Sequence, residues 1–174
     1  MNKLFILLAV IAVMSIYVYN AQSQTNSNLP DLIDQSIVTI KPSAGSSSGF
    51  KLTNTPTTLT SVLGEPKSID NIHSEQDDKR YDVYTYEDAS FYFDADKLVS
   101  TSINSSSIIV SFNGQNHIRV GDNISSLQDI FPNSYNLMKD GQLFVNFKTS
   151  NGIATDEAIL FEYKANGVIT NIII

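Results

Sequence analysis

Two kinds of hydrophobic pattern alternate along this chain, and the same succession of them occurs twice. In the first half, Thr55-Pro56 predicts a helix start. Threonine suits the cap and proline the first helical position, where no donor is needed. Leu59, Val62 and Leu63 recur at i, i+3 and i+4 and share one face. Gly64 and Pro66 then stop the helix. Three β-rich runs follow: Tyr81 to Tyr86, Ala89 to Phe93 and Leu98 to Ile103. Short polar turns at Glu87-Asp88 and Asp94 to Lys97 separate them, which predicts an antiparallel meander.

The second half repeats the order. A strand at Ile108 to Phe112 leads to an Asn113-Gly114 turn. A short helix is expected over Asn123 to Phe131, capped by Asn123 and ended by Pro132. Strands are expected at Gln142 to Phe147, Ala158 to Tyr163 and Val168 to Ile174. Ahead of the first helix, Leu29 to Asp34 suggests one helical turn, Ile37 to Ile40 a strand, and Ser43 to Gly49 a small-residue loop.

A duplication predicts that equivalent roles fall at a constant spacing. Phe50 and Ile118, Leu52 and Val120, and Leu59/Val62/Leu63 and Leu127/Ile130/Phe131 all stand 68 residues apart. Further on the spacing is 70, pairing Phe91 with Phe161, Phe93 with Tyr163 and Leu98-Val99 with Val168-Ile169. A unit of this size sits near the lower limit for folding alone, so two would join. The expected fold is α+β: two tandem repeats, each a short helix plus antiparallel strands, forming one curved antiparallel sheet with both helices on one face. The boundaries are a signal peptide at 1–23, a flexible leader at 24–35, repeat 1 at 36–104 and repeat 2 at 105–174.

Each copy carries a leucine, an apolar pair and a glycine or proline stop, followed by a meander, with Gly64-Glu65-Pro66 after one helix and Val120-Gly121-Asp122 before the other. This resembles the tandem repeats of the β-lactamase-inhibitor-protein-like fold and the small outer-membrane assembly lipoproteins of the SmpA/OmlA type, over residues 36–174. The resemblance implies a fold and a habit of binding proteins through a curved sheet, with no particular target. The chain departs from that group in having no cysteine for a lipid anchor or an inhibitor disulfide.

Composition narrows the classes. The formal net charge is −7, and the longest basic cluster, Lys79-Arg80, follows two aspartates. That argues against nucleic acid, whose phosphates need clustered lysine and arginine. The absence of cysteine excludes disulfides, thiolate metal sites and cysteine nucleophiles. At the N-terminus, Lys3 precedes an apolar run from Leu4 to Tyr19, and Ala21 and Ser23 are small. This fits a signal cleaved after Ser23 and a periplasmic or secreted, bacterial location. An uncleaved anchor is the rival, although the run is shorter than the roughly 20 residues that span a bilayer.

Candidate chemistry is sparse. In YDVYTYEDASFYFD, Phe91 and Phe93 share a face and Tyr92 lies on the other. If Tyr84 and Tyr86 also point outward, Tyr84, Tyr86 and Tyr92 line an exposed binding surface of the kind favoured in interfaces. The alternative puts Tyr84 and Tyr86 in the core and Tyr81 and Val83 outside. Asp94-Ala95-Asp96 reads as a hairpin turn rather than a calcium loop, since no further oxygen ligands or glycine follow. His73 falls in a polar loop with Ser74, Glu75 and Asp78, and no G-x-S-x-G elbow occurs. No catalytic residue, metal or cofactor is expected. The first expectation is an exported, non-enzymatic protein-binding module acting as inhibitor, adaptor or envelope-assembly accessory. A hydrolase using Asp78, Glu87 or Asp94, or a small-ligand carrier, are the alternatives.

Overall fold

The computed structural model describes residues 29–43 and 45–174. The expected signal and the first part of the leader lie outside the described residues. The described chain is mostly β with two α-helices. Its strands are β1 (Leu32–Ile33), β2 (Val38–Lys41), β3 (Phe50–Lys51), β4 (Ser68–Ser74), β5 (Lys79–Thr85) and β6 (Ala89–Asp94), then β7 (Lys97–Ile103), β8 (Ile109–Phe112), β9 (Asn116–Ile118), β10 (Gln142–Lys148), β11 (Ala154–Tyr163) and β12 (Ile169–Ile173). The helices are α1 (Pro56–Leu63) and α2 (Pro132–Leu137).

The strands form two sheets rather than the single one expected. Eight lie in the order β1-β10-β11-β12-β7-β6-β5-β4, and four in the order β3-β2-β8-β9. The large sheet is mixed, because β1 runs parallel to β10, setting Leu32 beside Asn146 and Ile33 beside Phe147. The physical reason for a second sheet lies in β2 and β8. Val38 and Ile40 on one, and Val110 and Phe112 on the other, each present an apolar face that needs cover. Paired with one another, they lay that face on the large sheet. The contact is aromatic: Phe50 of the small sheet meets Phe91 and Phe93 of the large one edge-on, with ring centroids 5.9 and 6.4 Å apart. One contiguous core contains both sheets, Leu59 of α1 and Leu127.

Helix α1 runs as its pattern predicts. Leu59 is fully buried, Val62 and Leu63 pack partly against the core, and Gly64 closes the helix at φ +85°. That left-handed value is one glycine adopts without steric cost. Thr55 holds the cap position, but its side chain makes no capping hydrogen bond.

The second helix departs from expectation. Asn123 does cap, its Oδ1 accepting the Ser125 N–H at 3.0 Å, but the turn it starts is a 3₁₀ segment, Ile124–Leu127. Pro132 begins α2 instead of ending a helix, because proline fits a first turn as well as it terminates one. Two N-terminal readings also change. Leu32–Ile33 is a strand, not a helical turn or leader. His73 and Ser74 lie in a strand, β4, and not in a polar loop; β4 lies at the sheet margin, so both its faces tolerate polar residues and no alternation marks it.

Candidate functional site

The two-residue turn between β5 and β6 fixes where the tyrosines point. Tyr86 N–H donates to the Ala89 carbonyl at 2.8 Å, Tyr84 lies opposite Phe91, and Val83 lies opposite Tyr92. Directly opposed residues share a face. Tyr84 and Tyr86 are therefore on the core side with Phe91 and Phe93. Their rings stand edge-on to these phenylalanines, Tyr84 to Phe93 at 5.4 Å and Tyr86 to Phe91 at 5.7 Å. Tyr92 occupies the opposite face, beside Val83, and is half-buried. The three do not line one surface, which corrects the expected exposed tyrosine face.

Tyr86 is at the rim of the core, and there it joins a cleft. The chain leaving Gly64 passes through Glu65-Pro66-Lys67 and is held against the end of β5 by the Lys67 N–H, which donates to Thr85 O at 2.7 Å. The Tyr86 hydroxyl donates to the Gly64 carbonyl at 3.1 Å and ties the helix stop to the hairpin. Pro42, Leu63, Ile108 and the Tyr86 ring form the apolar part of the lining. Glu65, Lys67, Glu87, Asp88 and Ser107 supply the polar part, and the cleft encloses about 300 Å³.

The electrostatics of this cleft are lopsided. Three carboxylates face one ammonium, and Lys67 is already bridged to Glu87 at 3.3 Å on the surface. Asp88 accepts a hydrogen bond from the Ser107 hydroxyl. Hydroxyl bonds from Ser107 and Ser105 hold its carboxyl below the ordinary range, so it stays charged. Burial first, and then the charge of Glu65, push the Tyr86 phenol up to about 12. The ring thus remains a neutral donor while acid groups surround it. The arrangement suits a cation carried on an apolar stem.

A titration follows from these phenols. Tyr81, partly desolvated and hydrogen-bonded to Asp77, is also raised to about 12 from 10.0. A raised folded value favours the neutral form in the native state. The stability these two groups contribute is therefore complete below pH 10 and lost as pH climbs through 12. Phenolate absorbance of the folded chain is expected to show a late step near pH 12, diminished in Tyr86→Phe and again in Tyr81→Phe, and to shift to about 10 in denaturant.

Each of the carboxylates named as catalytic alternatives lies against a basic side chain. Asp78 contacts His73 at 3.5 Å, Asp94 pairs with Lys79 at 3.0 Å, and Glu87 pairs with Lys67. Asp78 precedes β5 and Asp94, at the end of β6, is held beside its first residue, whereas Glu87 follows its far end, about 20 Å away at strand rise. Asp94-Ala95-Asp96 makes the tight β6–β7 turn, with Ala95 at φ +52°. His117 is exposed on β9, at the margin of the small sheet. Among the described residues no cluster of three or more His, Cys, Asp or Glu is placed to hold a metal.

The sequence pointed to Tyr86 and Glu87 as candidates but did not bring the other lining residues to them. Pro42, Leu63, Glu65 and Ser107 come from separate segments with no shared spacing. The Gly64-Glu65-Pro66 stop was the one local sign that the chain turns here. Compared with family models, curated proteins and solved structures, the chain matches none of them.

Proposed function

We propose that this chain is an exported, non-enzymatic protein-binding module, serving as an inhibitor, adaptor or envelope-assembly accessory, and that its contact centres on the Tyr86 cleft. The observation that carries this reading is the lining: apolar walls from Pro42, Leu63 and Ile108 beneath three carboxylates and a single lysine. A lysine or arginine of a partner protein suits it, stem against the walls and charge at Glu65, Glu87 and Asp88. Of the three tyrosines first considered, Tyr86 takes part directly and Tyr84 supports it from the core. Tyr92 belongs to the other face. Export rests on the apolar run and small residues of the N-terminus.

We also read the fold as two copies of one unit. Support comes from the strand order, in which β7-β6-β5 and β12-β11-β10 run outward from a shared centre. In the small sheet β2-β3 answers β8-β9 in the same way. Leu59 and Leu127 are both fully buried, as are Phe91 and Phe161.

The test is titration with a short arginine- and lysine-rich peptide, followed by backbone amide shifts. Shifts are expected at Glu65, Tyr86, Glu87 and Asp88, fading with salt and absent for a glutamate-rich peptide. Glu65→Lys with Glu87→Lys should weaken binding tenfold or more, whereas Tyr92→Ser should leave it intact. Shifts spread elsewhere, or indifference to the charge reversal, would remove this reading.

A further inference from the structure

The two margins of the large sheet are finished differently. At one, β10 is covered by β1. At the other, β4 has no neighbour on its outer side among the described residues. Its seven residues pair with β5 without a register shift, whereas the pairings within the β6–β7 and β10–β12 region contain shifts. No proline or lysine lies within Ser68–Ser74, and Ile69 is 56% exposed. An even, unblocked margin of this kind offers its free N–H and C=O groups to another strand.

The sequence of β4 suits pairing with itself. Opposed residues in an antiparallel pair must present the same bonding sense, so a two-fold axis between two copies has to pass through a residue. With the axis at Asn71, Ser68 faces Ser74 of the second copy, Ile69 faces His73, and Asp70 faces Ile72. The whole strand is then used. One step beyond each end, Lys67 meets Glu75, an opposite-charge pair that symmetry makes twice. An axis at Asp70 sets that carboxylate against itself, and one at Ile72 confines the pairing to residues 70–74. Lys67 is free to exchange partners, because its bond to Glu87 is a surface pair with both side chains well exposed.

We propose that two copies of this chain associate through antiparallel pairing of β4 with β4 about Asn71, extending the eight-stranded sheet across the dimer. The pairing shares Lys67 with the Tyr86 cleft but does not rest on peptide binding there, so a dimer that ignores the basic peptide leaves it standing.

The absence of native cysteine makes the test direct. Asn71→Cys brings two thiols together at the axis, where the Cα separation of an antiparallel pair lies within disulfide range. Mild oxidation should crosslink it to a covalent dimer, while Thr57→Cys, at an exposed position of α1, should not crosslink. Sedimentation of the cysteine-free chain should show mass doubling with concentration, and Ile69→Lys should abolish it. Glu75→Lys should weaken association about tenfold, and Lys67→Glu combined with Glu75→Lys should restore it. A chain that stays monomeric to millimolar concentration without an Asn71→Cys crosslink would overturn the proposal. So would a dimer that the charge swap fails to rescue, or a monomer that instead binds a foreign extended peptide along β4.

Discussion

Phe91→Ala is expected to lower the unfolding free energy by about 3–5 kcal/mol, the range for removing a buried aromatic ring. For a chain of this size that corresponds to a fall in Tm of about 10 °C. Phe91 is fully buried in the middle of the large sheet. Phe50 of the small sheet and Tyr86 of the cleft both make T-shaped contacts with its ring. Truncation therefore does two things at once. It opens a void where the two sheets meet, and it removes the surface on which Tyr86 leans. Chemical denaturation measures the first effect and the late phenol titration the second, since a loosened Tyr86 should ionise nearer pH 10. Val99→Ala on the same sheet, at a 44% exposed site, should stay within about 0.5 kcal/mol. A loss under about 1.5 kcal/mol for Phe91→Ala would contradict a core shared between the sheets.

Asp31→Ala is expected to cost about 2 kcal/mol, which is large for a residue at the surface. Helix α2 follows Phe131, and no side chain at that cap position bonds to it. The cap comes instead from far away in the chain. Asp31 Oδ2 accepts the Ser134 N–H at 2.8 Å, and Oδ1 accepts from the Asn133 amide at 3.2 Å. In return the Asp31 N–H donates to the Ser134 hydroxyl at 2.9 Å, and its carbonyl accepts the Asn146 N–H at 3.0 Å. Ser134 is only 1% exposed. Removing the carboxylate takes away the cap and leaves a buried donor without its partner, a penalty of about 1–3 kcal/mol. Asp31→Asn keeps an acceptor and should recover about half of the loss, the remainder being charge at a helix start. Hydrogen exchange at the Ser134 amide should quicken in Asp31→Ala; unchanged exchange would rule out the capping role.

What the sequence disclosed follows the range of the forces involved. Helix α1 was legible because its signals are local: a proline, three apolar positions and a glycine. Strands β6 and β7 were legible for the same reason, through alternation about the Asp94 to Lys97 turn. The direction of Tyr84 and Tyr86 was also present in the residues. A two-residue turn at Glu87-Asp88 sets Tyr86 against Ala89 and Tyr84 against Phe91, so both must share the phenylalanine face. Alternation within β5 alone could not choose between its two faces. Pro132 misled because proline starts helices as readily as it follows them. β1 had no local signal, since two residues become a strand only through β10. The cleft was hidden for the same reason, its walls being brought together by the fold rather than by spacing.

The latch between Asp31 and Ser134 joins positions 103 residues apart. A polypeptide that emerges amino end first must carry Asp31, Leu32 and Ile33 as a loose tail until residues 133–147 have followed. Closure of the sheet then waits for nearly the whole chain, as expected where distant pairings dominate. For a chain that we propose leaves the cytoplasm, that delay keeps the polypeptide threadable during passage and reserves its final locking for the far side of the membrane.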